Sequence, residues 1–376
     1  MKKALVHDWF SVYAGAERCV ESFTNIWDDF DIFALVDFLE PKDREIILKG
    51  KSAKTSFIQN LPFTKSKFRN YLPLFPFAVE QFDLRDYDII LSSSHAVAKG
   101  VLTHQNQFHI SYIHTPMRYA WDMYFSYLEE NNAKRGLKSL LLRYFLHKIR
   151  IWDLMCANRV DSYIANSHYV AGRIDKIYGK KAHVIYPPVD TSKFEFKDQK
   201  EDFYITVSRL VPYKKIDIIV EAFNINGKKL VVIGDGPQMS KIKSIAKPNV
   251  EILGFLDDKK ISQMLSRARA FIFCALEDFG IAPVEAQACG TPVICYGQGG
   301  AKESVLNGLS GVYFENQSVQ SLNKAIDKFE KEFDKFDLSF IYRHAQKFSK
   351  ERFEKEIKEF VQIEYEKFID GKGWRK

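Results

Sequence analysis

Hydrophobic positions in the first half of the chain form short runs that alternate with amphipathic stretches. Two stretches, AGAERCVESFTNI and SHYVAGRIDKIYG, have the apolar spacing of helices. Five apolar runs are typical of buried strands: KALVHDW, DIFALV, YDIILSSS, FHISYIHTP and DSYIANS. Strands that alternate with helices in this way predict a parallel, doubly wound α/β sheet.

The same alternation restarts in the second half of the chain. Its predicted strands are FYITVSRL, KLVVIGDGP, VEILGFL, AFIFCAL and TPVICYG, and its predicted helices are KIDIIVEAFN, MSKIKSIA and KKISQMLSRA. Pro187, Pro188 and the charged stretch KFEFKDQKED separate the two series. We therefore predict two Rossmann-like domains, residues 1–190 and 191–349, followed by a helix over about 350–376.

Composition agrees with two ordinary globular domains. The 376 residues are 46% hydrophobic and 27% charged, and a chain of this length usually divides its core. No apolar run approaches the roughly 20 residues that cross a bilayer. The basic start MKKALVHDWF resembles a signal peptide, but His7 and Asp8 interrupt it. We therefore expect a cytoplasmic protein.

Charge and cysteine content narrow the function classes. Five scattered cysteines without a CxxC pair argue against a disulfide framework and a structural zinc site. The formal charge of +7 favours an anionic partner such as a nucleotide diphosphate, a nucleic acid or an acidic membrane surface. No nucleic-acid-binding motif is present, so we expect no nucleic-acid partner.

The stretch EDFGIAPVEAQACGTPV carries two candidate carboxylates. Glu277 follows the strand AFIFCAL, and ligands of open α/β sheets bind at the carboxyl ends of strands. Gly280 permits a tight turn, Pro283 suits the first helical position, and Gly290 suits the end of that helix. Glu285, one turn into the helix, is placed to accept hydrogen bonds from a diol such as ribose. The alternative is that both glutamates face solvent or cap the helix.

A second cluster, SRLVPYKK, follows another strand. Arg209 and Lys214 are placed there to neutralise a diphosphate as it leaves. Surface positions for both side chains are the alternative. Gly15, at a strand-to-helix junction, allows a close approach of phosphate or sugar or is a simple turn. His114, at the end of FHISYIHTP, either bonds a sugar hydroxyl or is structural.

Other signals are weaker. GDGP and GQGGAKES are glycine-rich turns after strands, but neither matches a phosphate-binding loop, and no dinucleotide fingerprint opens the chain. Spacings typical of paired metal ligands are also missing. We therefore expect no metal requirement, with charge neutralisation by Arg209 and Lys214.

Taken in order, these motifs resemble the family 4 retaining glycosyltransferases with the GT-B fold. Glu277 and Glu285 reproduce the E-x7-E motif of that family, and the resemblance covers nearly the whole chain. The motifs that carry it are Gly15, His114, Asn166–Ser167, VIYPPVD, SRLVPYKKID, GDGP, GFL, EDFGIAPVEAQACGTPVI and GGAKESVLNGLSG. The resemblance implies two Rossmann-like domains that face each other across a cleft, with the C-terminal helix packed on the first domain.

It also implies roles for the residues of the second half. Arg209 and Lys214 would bind the diphosphate of the donor, Glu285 would hold the ribose, and Glu277 would contact the transferred sugar. The backbone at Phe255 and Leu256 would meet the base. Sugar and phosphate would be touched by the amides of Phe279, Gly280, Ile281 and Ala282.

In the first half, the resemblance places Gly15 close to the diphosphate and His114 against the sugar. The family commonly has two glycines here, and in this chain the first position is Ala14. HTPMRYAWD and SRLVPYKK look most like bacterial mannosyltransferases of O-antigen and capsule assembly, which points to GDP-mannose as donor. The alternatives are a 2-epimerase or glucan synthase of the same fold, or a non-catalytic basic binding protein.

Two basic, aromatic segments, residues 63–77 and 132–155, have two interpretations. They fit the interface of an anionic membrane, where a polyprenyl-linked or oligosaccharide acceptor would be found. Core packing by long helices with solvated lysines is the alternative.

Overall fold

A computed structural model describes residues 1–371. It divides the chain into a first unit, Met1–Tyr186 with the C-terminal segment from Phe353, and a second unit, Pro187–Arg352. The predicted boundary after residue 190 is therefore moved to Tyr186. Residues 372–376 of the predicted terminal helix lie outside the described residues.

The first unit contains a seven-stranded parallel sheet in the order β3-β2-β1-β4-β5-β6-β7. All five strands predicted here are confirmed, and the two short edge strands β3 and β7 were not predicted. The strands are β1 (Lys3–His7), β2 (Asp31–Ala34), β3 (Lys54–Thr55), β4 (Ile89–Ser94), β5 (Phe108–Ile113), β6 (Ser162–Ala165) and β7 (His183–Val184).

Helices flank this sheet. The helix α7 (His168–Tyr178) has residues typical of helix termini at both of its ends. Ser167 caps α7, because its side chain accepts a hydrogen bond from the backbone N–H of Val170 at 3.0 Å, and Gly179 ends the helix in the left-handed region. The helices are α1 (Gly15–Ile26), α2 (Pro41–Leu48), α3 (Thr64–Lys67), α4 (Phe75–Val79), α5 (Tyr124–Glu130), α6 (Leu137–Cys156) and α7 (His168–Tyr178).

Alternate residues of the central strands enter two cores on opposite faces of the first sheet. Ala4 and Val6 pack into one core, whereas Leu5 packs into the other. The C-terminal helix α15 (Lys350–Gly371) supplies Phe353 and Ile357 to the core that contains Leu5. The described part of this helix therefore packs on the first unit.

The second unit contains a six-stranded parallel sheet in the order β10-β9-β8-β11-β12-β13. Its five predicted strands are present, and β13 is additional. The strands are β8 (Tyr204–Val207), β9 (Leu230–Ile233), β10 (Val250–Gly254), β11 (Ala270–Phe273), β12 (Val293–Tyr296) and β13 (Gly311–Phe314). The helices are α8 (Ile216–Asn226), α9 (Met239–Ile245), α10 (Asp258–Arg267), α11 (Ile281–Ala288), α12 (Ala301–Ser304), α13 (Val319–Glu332) and α14 (Leu338–Ala345).

Both units thus have the parallel α/β architecture that the apolar pattern predicts. All five cysteines are buried and unbridged, as expected for small core residues.

Candidate functional site

The segment between β8 and α8 carries both predicted cations. Arg209 follows the end of β8 closely and is exposed. The chain then forms a single 3-10 turn, Pro212–Lys214, before α8 begins at Ile216. The side chain of Lys214 is only 17% exposed. Both cations thus lie beyond the carboxyl end of a strand, where ligands of this sheet type bind.

The GDGP turn after β9 packs directly on this segment. A Cβ atom on Gly234 would lie 1.8 Å from the carbonyl oxygen of Ser208, and one on Gly236 would lie 2.5 Å from that of Leu210. The N–H of Leu210 donates to the carbonyl of Asp235 at 2.8 Å. Only glycine permits this approach, so the turn fixes the backbone around Arg209.

Glu277 lies on the loop after β11, and a second glycine pair supports that loop. The N–H of Gly300 donates to the carbonyl of Glu277 at 2.9 Å. A Cβ atom on Gly300 would approach the carbonyl oxygen of Asp278 to 2.2 Å, and one on Gly299 would approach that of Glu277 to 2.6 Å. The GQGGAKES motif therefore acts by holding the backbone of the glutamate loop.

The structure brings Lys214 and Glu277 together as a hydrogen-bonded ion pair. Their side chains are 17% and 18% exposed. The ammonium of Lys214 also lies 5.5 Å from the centre of the Tyr213 ring and 5.9 Å from that of Phe273. A partly desolvated cation on this edge of the sheet can exchange a carboxylate for a phosphate oxygen, since both are anionic acceptors.

Glu285 lies on α11, as predicted, and is partly buried. The helix begins at Ile281, so Pro283 is its third residue and the prediction of a first position is wrong. Pro283 fits there because the first four N–H groups of a helix have no partner within it. Gly280 precedes the helix with φ of 91°, and Gly290 follows its end with φ of 68°, as its predicted role requires.

The predicted base and sugar contacts fall on the loop after β10, on the loop before α11 and in the first turn of α11. Phe255 follows β10 and is 81% exposed, whereas Leu256 packs partly into the core. The side chain of Phe279 is buried, 5.6 Å from the ring of Phe348, so only its backbone can meet a ligand. Ala282 packs partly into the same core as Leu256.

Gly15 and His114 belong to the first unit. Gly15 is the first residue of α1, and His114 follows β5 directly. The side-chain amide of Asn166 donates to the carbonyl of His114 at 2.9 Å, which gives the Asn166–Ser167 motif a structural role. Desolvation, reinforced by His95 and His7, holds the pKa of His114 well below its ordinary value.

Sequence reasoning missed a group of buried polar residues beside His114. Ser93 contacts Nε2 of His114 at 2.8 Å and Nδ1 of His7 at 3.1 Å. The carboxylate of Asp8 accepts four backbone N–H groups, from residues 95–98, at 2.6 to 2.9 Å. The available signals were HD after the first strand and SSS at the end of another.

The described residues, 1–371, contain neither a metal-binding cluster nor a membrane-spanning helix. No group of three or more histidine, cysteine, aspartate or glutamate side chains there is arranged to hold a metal ion. No helix in this part of the chain combines the length and apolar character needed to cross a bilayer.

Comparison with known families identifies both halves of the chain. Residues 190–347 match the sequence model described as "Glycosyl transferases group 1", and residues 30–193 match "Glycosyltransferase Family 4". An uncharacterized glycosyltransferase of Methanocaldococcus jannaschii is 29% identical over 196 residues, which are 51% of this chain and 55% of that protein.

A GDP-mannose-dependent alpha-(1-6)-phosphatidylinositol monomannoside mannosyltransferase of Mycobacterium tuberculosis is 27% identical over 192 residues. The match covers 43% of this chain and 50% of that enzyme. The chain thus spans about half the length of the curated relatives it matches.

Among solved structures, HepE of Anabaena in complex with UDP is similar over 96% of this chain and 100% of its own. Its TM-score is 0.70 at 18% sequence identity. Together with the two parallel sheets, this likeness establishes the GT-B fold.

Proposed function

We propose that this chain, a glycosyltransferase of the GT-B type, transfers a hexose from a nucleotide diphosphate sugar to an acceptor hydroxyl with retention of anomeric configuration. The observation that carries the proposal is the Lys214–Glu277 pair beyond the strand ends of the second sheet. It offers a cation for a diphosphate beside a carboxylate for a sugar hydroxyl. Glu285 lies one helical turn further on, where ribose would bind.

In the proposed reaction, the bond between the anomeric carbon and the diphosphate oxygen breaks, and the bonding electrons pass to the diphosphate. The acceptor oxygen attacks the same face of the sugar and gives its proton to the departing phosphate oxygen. Arg209 and Lys214 stabilise the negative charge that grows on this group. No metal enters the scheme.

The finer assignment is mannose from GDP-mannose, used in the synthesis of a cell-surface polysaccharide such as O-antigen or capsule. It is supported by the HTPMRYAWD and SRLVPYKK motifs and by the printed activity of the mycobacterial relative. UDP in the HepE complex makes uridine nucleotides the competing choice.

The test is a panel of GDP-mannose, UDP-glucose, UDP-galactose and UDP-N-acetylglucosamine, scored by the shift in melting temperature and by transfer to a polyprenyl-linked glycan. Proton NMR of the product reads the anomeric configuration. We expect the largest shift with GDP-mannose and an α-linked product. Inversion, or epimerisation of the donor without acceptor, would contradict the proposal.

On the acceptor side, we propose a peripheral position on an anionic membrane. The contact would be a basic–apolar surface, formed by the exposed side chains of residues 63–77 and of α6. Core packing accounts for only part of α6: Leu146 and Ile149 are buried, but Leu137 is 72% exposed and Leu140 65%. Phe63, on the other segment, is 80% exposed.

The charge of this surface favours anionic lipid. Exposed basic side chains flank its apolar residues, and the one acidic residue of α6, Asp153, is buried. A groove lined by both segments joins them into a continuous surface. Exposed apolar side chains ringed by lysine and arginine are typical of helices that lie in a membrane interface.

Vesicle co-sedimentation tests the membrane contact. We expect binding to vesicles with phosphatidylglycerol and much weaker binding to pure phosphatidylcholine. Replacing Lys65, Lys138 and Lys148 by Gln should weaken it about 100-fold, since each lysine contributes roughly 1 kcal/mol. The matched control replaces the exposed lysines Lys324, Lys328 and Lys331 of the second unit, with no loss expected. Equal, negligible sedimentation with both vesicles would contradict the contact.

A further inference from the structure

A line of four polar side chains crosses the carboxyl edge of the first sheet. Glu17 lies in the first turn of α1, His7 ends β1, Ser93 lies near the end of β4, and His114 follows β5. β1 pairs with β4, and β4 pairs with β5. His7 and Ser93 are partners in the register of β1 and β4. The sheet order itself therefore sets the order of the line.

The distances define which atoms meet. Oγ of Ser93 lies 3.1 Å from Nδ1 of His7 and 2.8 Å from Nε2 of His114. Nε2 of His7 makes no hydrogen bond within the described residues, and it lies 3.7 Å from Oε1 of Glu17. Glu17, His7 and Ser93 are 4%, 1% and 0% exposed. The three groups interact out of contact with bulk water.

We propose that Glu17, His7 and Ser93 form a one-way chain, in which Glu17 acts through its charge and His7 and Ser93 through hydrogen bonds, and which holds the His114 ring with its proton on Nε2 and a bare Nδ1. These three are positioning residues, since each acts through His114. The inference rests on the function proposed above and on the contact of His114 with the transferred sugar that the family resemblance implies.

The polarity follows from Glu17. Its carboxylate favours a proton on Nε2 of His7, because opposite charge is strongly felt at 3.7 Å in a buried setting. In the proposed chain His7 carries only this proton, so its Nδ1 is an acceptor and the Ser93 hydroxyl donates to it. Ser93 has only one hydroxyl proton, and in the chain it is donated to His7. The Ser93 oxygen therefore accepts a hydrogen bond from Nε2 of His114. Glu17 is itself held in place, since the N–H of Ala14 donates to its Oε2 at 3.1 Å.

The surroundings keep His114 uncharged. Its ring makes T-shaped contacts with the ring of Tyr112 at 5.1 Å and with that of His95 at 6.2 Å. His95 lies 3.0 Å from Asp8, and Phe10 packs on His7 at 4.8 Å. Desolvation lowers the pKa of both His114 and His95. His114 therefore offers a neutral acceptor, which selects a donor sugar with a hydroxyl group at that position.

His109 provides an internal reference with the opposite tautomer. Its Nδ1 lies 3.0 Å from the carbonyl oxygen of Arg159, which can only accept, so Nδ1 must carry the proton. Its Nε2 accepts from Ser92 at 2.8 Å. Burial lowers the pKa of His109 to about 4, so this ring is also neutral near pH 7. The two histidines should give distinct ring-nitrogen signals.

The experiment is NMR of the full chain with ¹⁵N-labelled histidine, at pH 7, without donor. The His114→Asn and His109→Asn spectra assign two of the nine histidines. We expect His114 with its proton on Nε2 and His109 with its proton on Nδ1. In Glu17→Gln the amide can donate to Nε2 of His7, so every bond of the chain reverses and the His114 proton moves to Nδ1. His109 should not change.

Ser93→Ala is the second variant, and it breaks the chain without altering charge. His114 should then populate both tautomers. A wild-type His114 with its proton on Nδ1, or one that is unchanged in both variants, would overturn the chain. A loss of fold in Glu17→Gln leaves Ser93→Ala and the wild-type spectrum to decide.

Transfer kinetics separate this inference from the proposed function. With GDP-mannose, Glu17→Gln should lower kcat roughly 10- to 100-fold, because it turns an acceptor toward the sugar hydroxyl into a donor. The expected tautomer change without any change in kcat would support the chain but contradict the placement of His114 at the sugar.

Discussion

Two lysine–carboxylate pairs of this chain have contrasting surroundings. In the first unit, the side chains of Lys99 and Asp153 are 2% and 0% exposed. In the second unit, those of Lys214 and Glu277 are 17% and 18% exposed and lie on two loops beyond the strand ends. The first pair is enclosed by its unit, whereas the second retains contact with solvent.

The enclosed pair is also fully bonded. The second carboxylate oxygen of Asp153 accepts from Nε1 of Trp121 at 2.7 Å and from the hydroxyl of Tyr178 at 2.9 Å. Desolvation lowers the pKa of Lys99, but the attraction of Asp153 outweighs it and raises that pKa well above the ordinary value. Such a network fixes structure and has no room for a ligand.

The difference in burial between the two pairs indicates which of them can bind an anionic ligand. A charged pair that is enclosed and fully bonded cannot change partners without unfolding its surroundings. A pair on loops, mostly withdrawn from water but still in contact with it, can release one partner to an incoming anion. The burial of each pair thus separates the structural lysine from the candidate ligand-binding one.

The largest expected effect is on the enclosed pair. Lys99→Ala leaves the Asp153 carboxylate buried and uncompensated, so we expect the free energy of unfolding to fall by about 3–5 kcal/mol. Urea unfolding of the variant measures this. Lys181→Ala, at an exposed pair with Asp175, is the matched control and should change little. A loss below about 1 kcal/mol in Lys99→Ala would remove the distinction drawn between the pairs.

The next largest effect is expected for the Lys214–Glu277 pair, and we expect it to appear as a fall in kcat. In the proposed reaction, Lys214→Ala removes a cation that stabilises the leaving diphosphate, so we expect kcat to fall on the order of 100–1,000-fold with little change in melting temperature. Steady-state kinetics with the preferred donor give the value. Near-normal turnover would show that the leaving group does not depend on this lysine.

A smaller effect, on the free energy of unfolding, is expected at Glu330, whose side chain is partly buried. Burial would raise the pKa of Glu330, but hydrogen bonds from Arg269, Tyr204 and Lys228 outweigh it and lower the pKa to about 2. A lowered folded-state pKa means that the stabilisation is complete above the ordinary pKa of about 4.5 and is lost as the pH falls toward 2. We expect about 1 kcal/mol, allowing for solvent screening.

Urea unfolding of the wild type and of Glu330→Gln between pH 6 and pH 3 measures this contribution. The difference in stability between the two proteins should shrink as the pH falls. A difference that stays constant over that range would contradict a lowered pKa for Glu330.

The smallest effect is expected at Lys241, whose side chain is 54% exposed and pairs with Asp217 at 2.7 Å. Lys241→Ala should cost no more than about 0.5 kcal/mol and leave kcat unchanged. Thermal unfolding and kinetics run beside Lys214→Ala provide the check. A loss of turnover comparable to that of Lys214→Ala would mean that charge in general, rather than the position of Lys214, governs the reaction.

Sequence alone predicted the strands well, because their apolar runs are unbroken and bounded by polar turns. β13 was missed because its four residues, Gly311–Phe314, follow a glycine-rich stretch without a clear apolar period. The start of α11 was misplaced by two residues because proline is accepted throughout a first helical turn.

The site was predicted less completely, since contacts between distant segments depend on strand order. Sequence placed Lys214 and Glu277 after strands, but their pairing requires β8 and β11 to be neighbours in the sheet. The contact of His7 with Ser93 likewise depends on the pairing of β1 with β4. The support given by Gly234 and Gly300 depends on backbone approaches that no local pattern encodes.

The helix α15 has a consequence for how the protein is made. Phe353, Ile357 and Val361 complete a core whose other members begin at Leu5, so the domain synthesised first lacks part of its interior until the ribosome has passed residue 361. The second domain, by contrast, is one continuous stretch of chain. The second domain is therefore complete along the chain before the first, and we expect an amino-terminal half without this helix to be less stable than one that carries it.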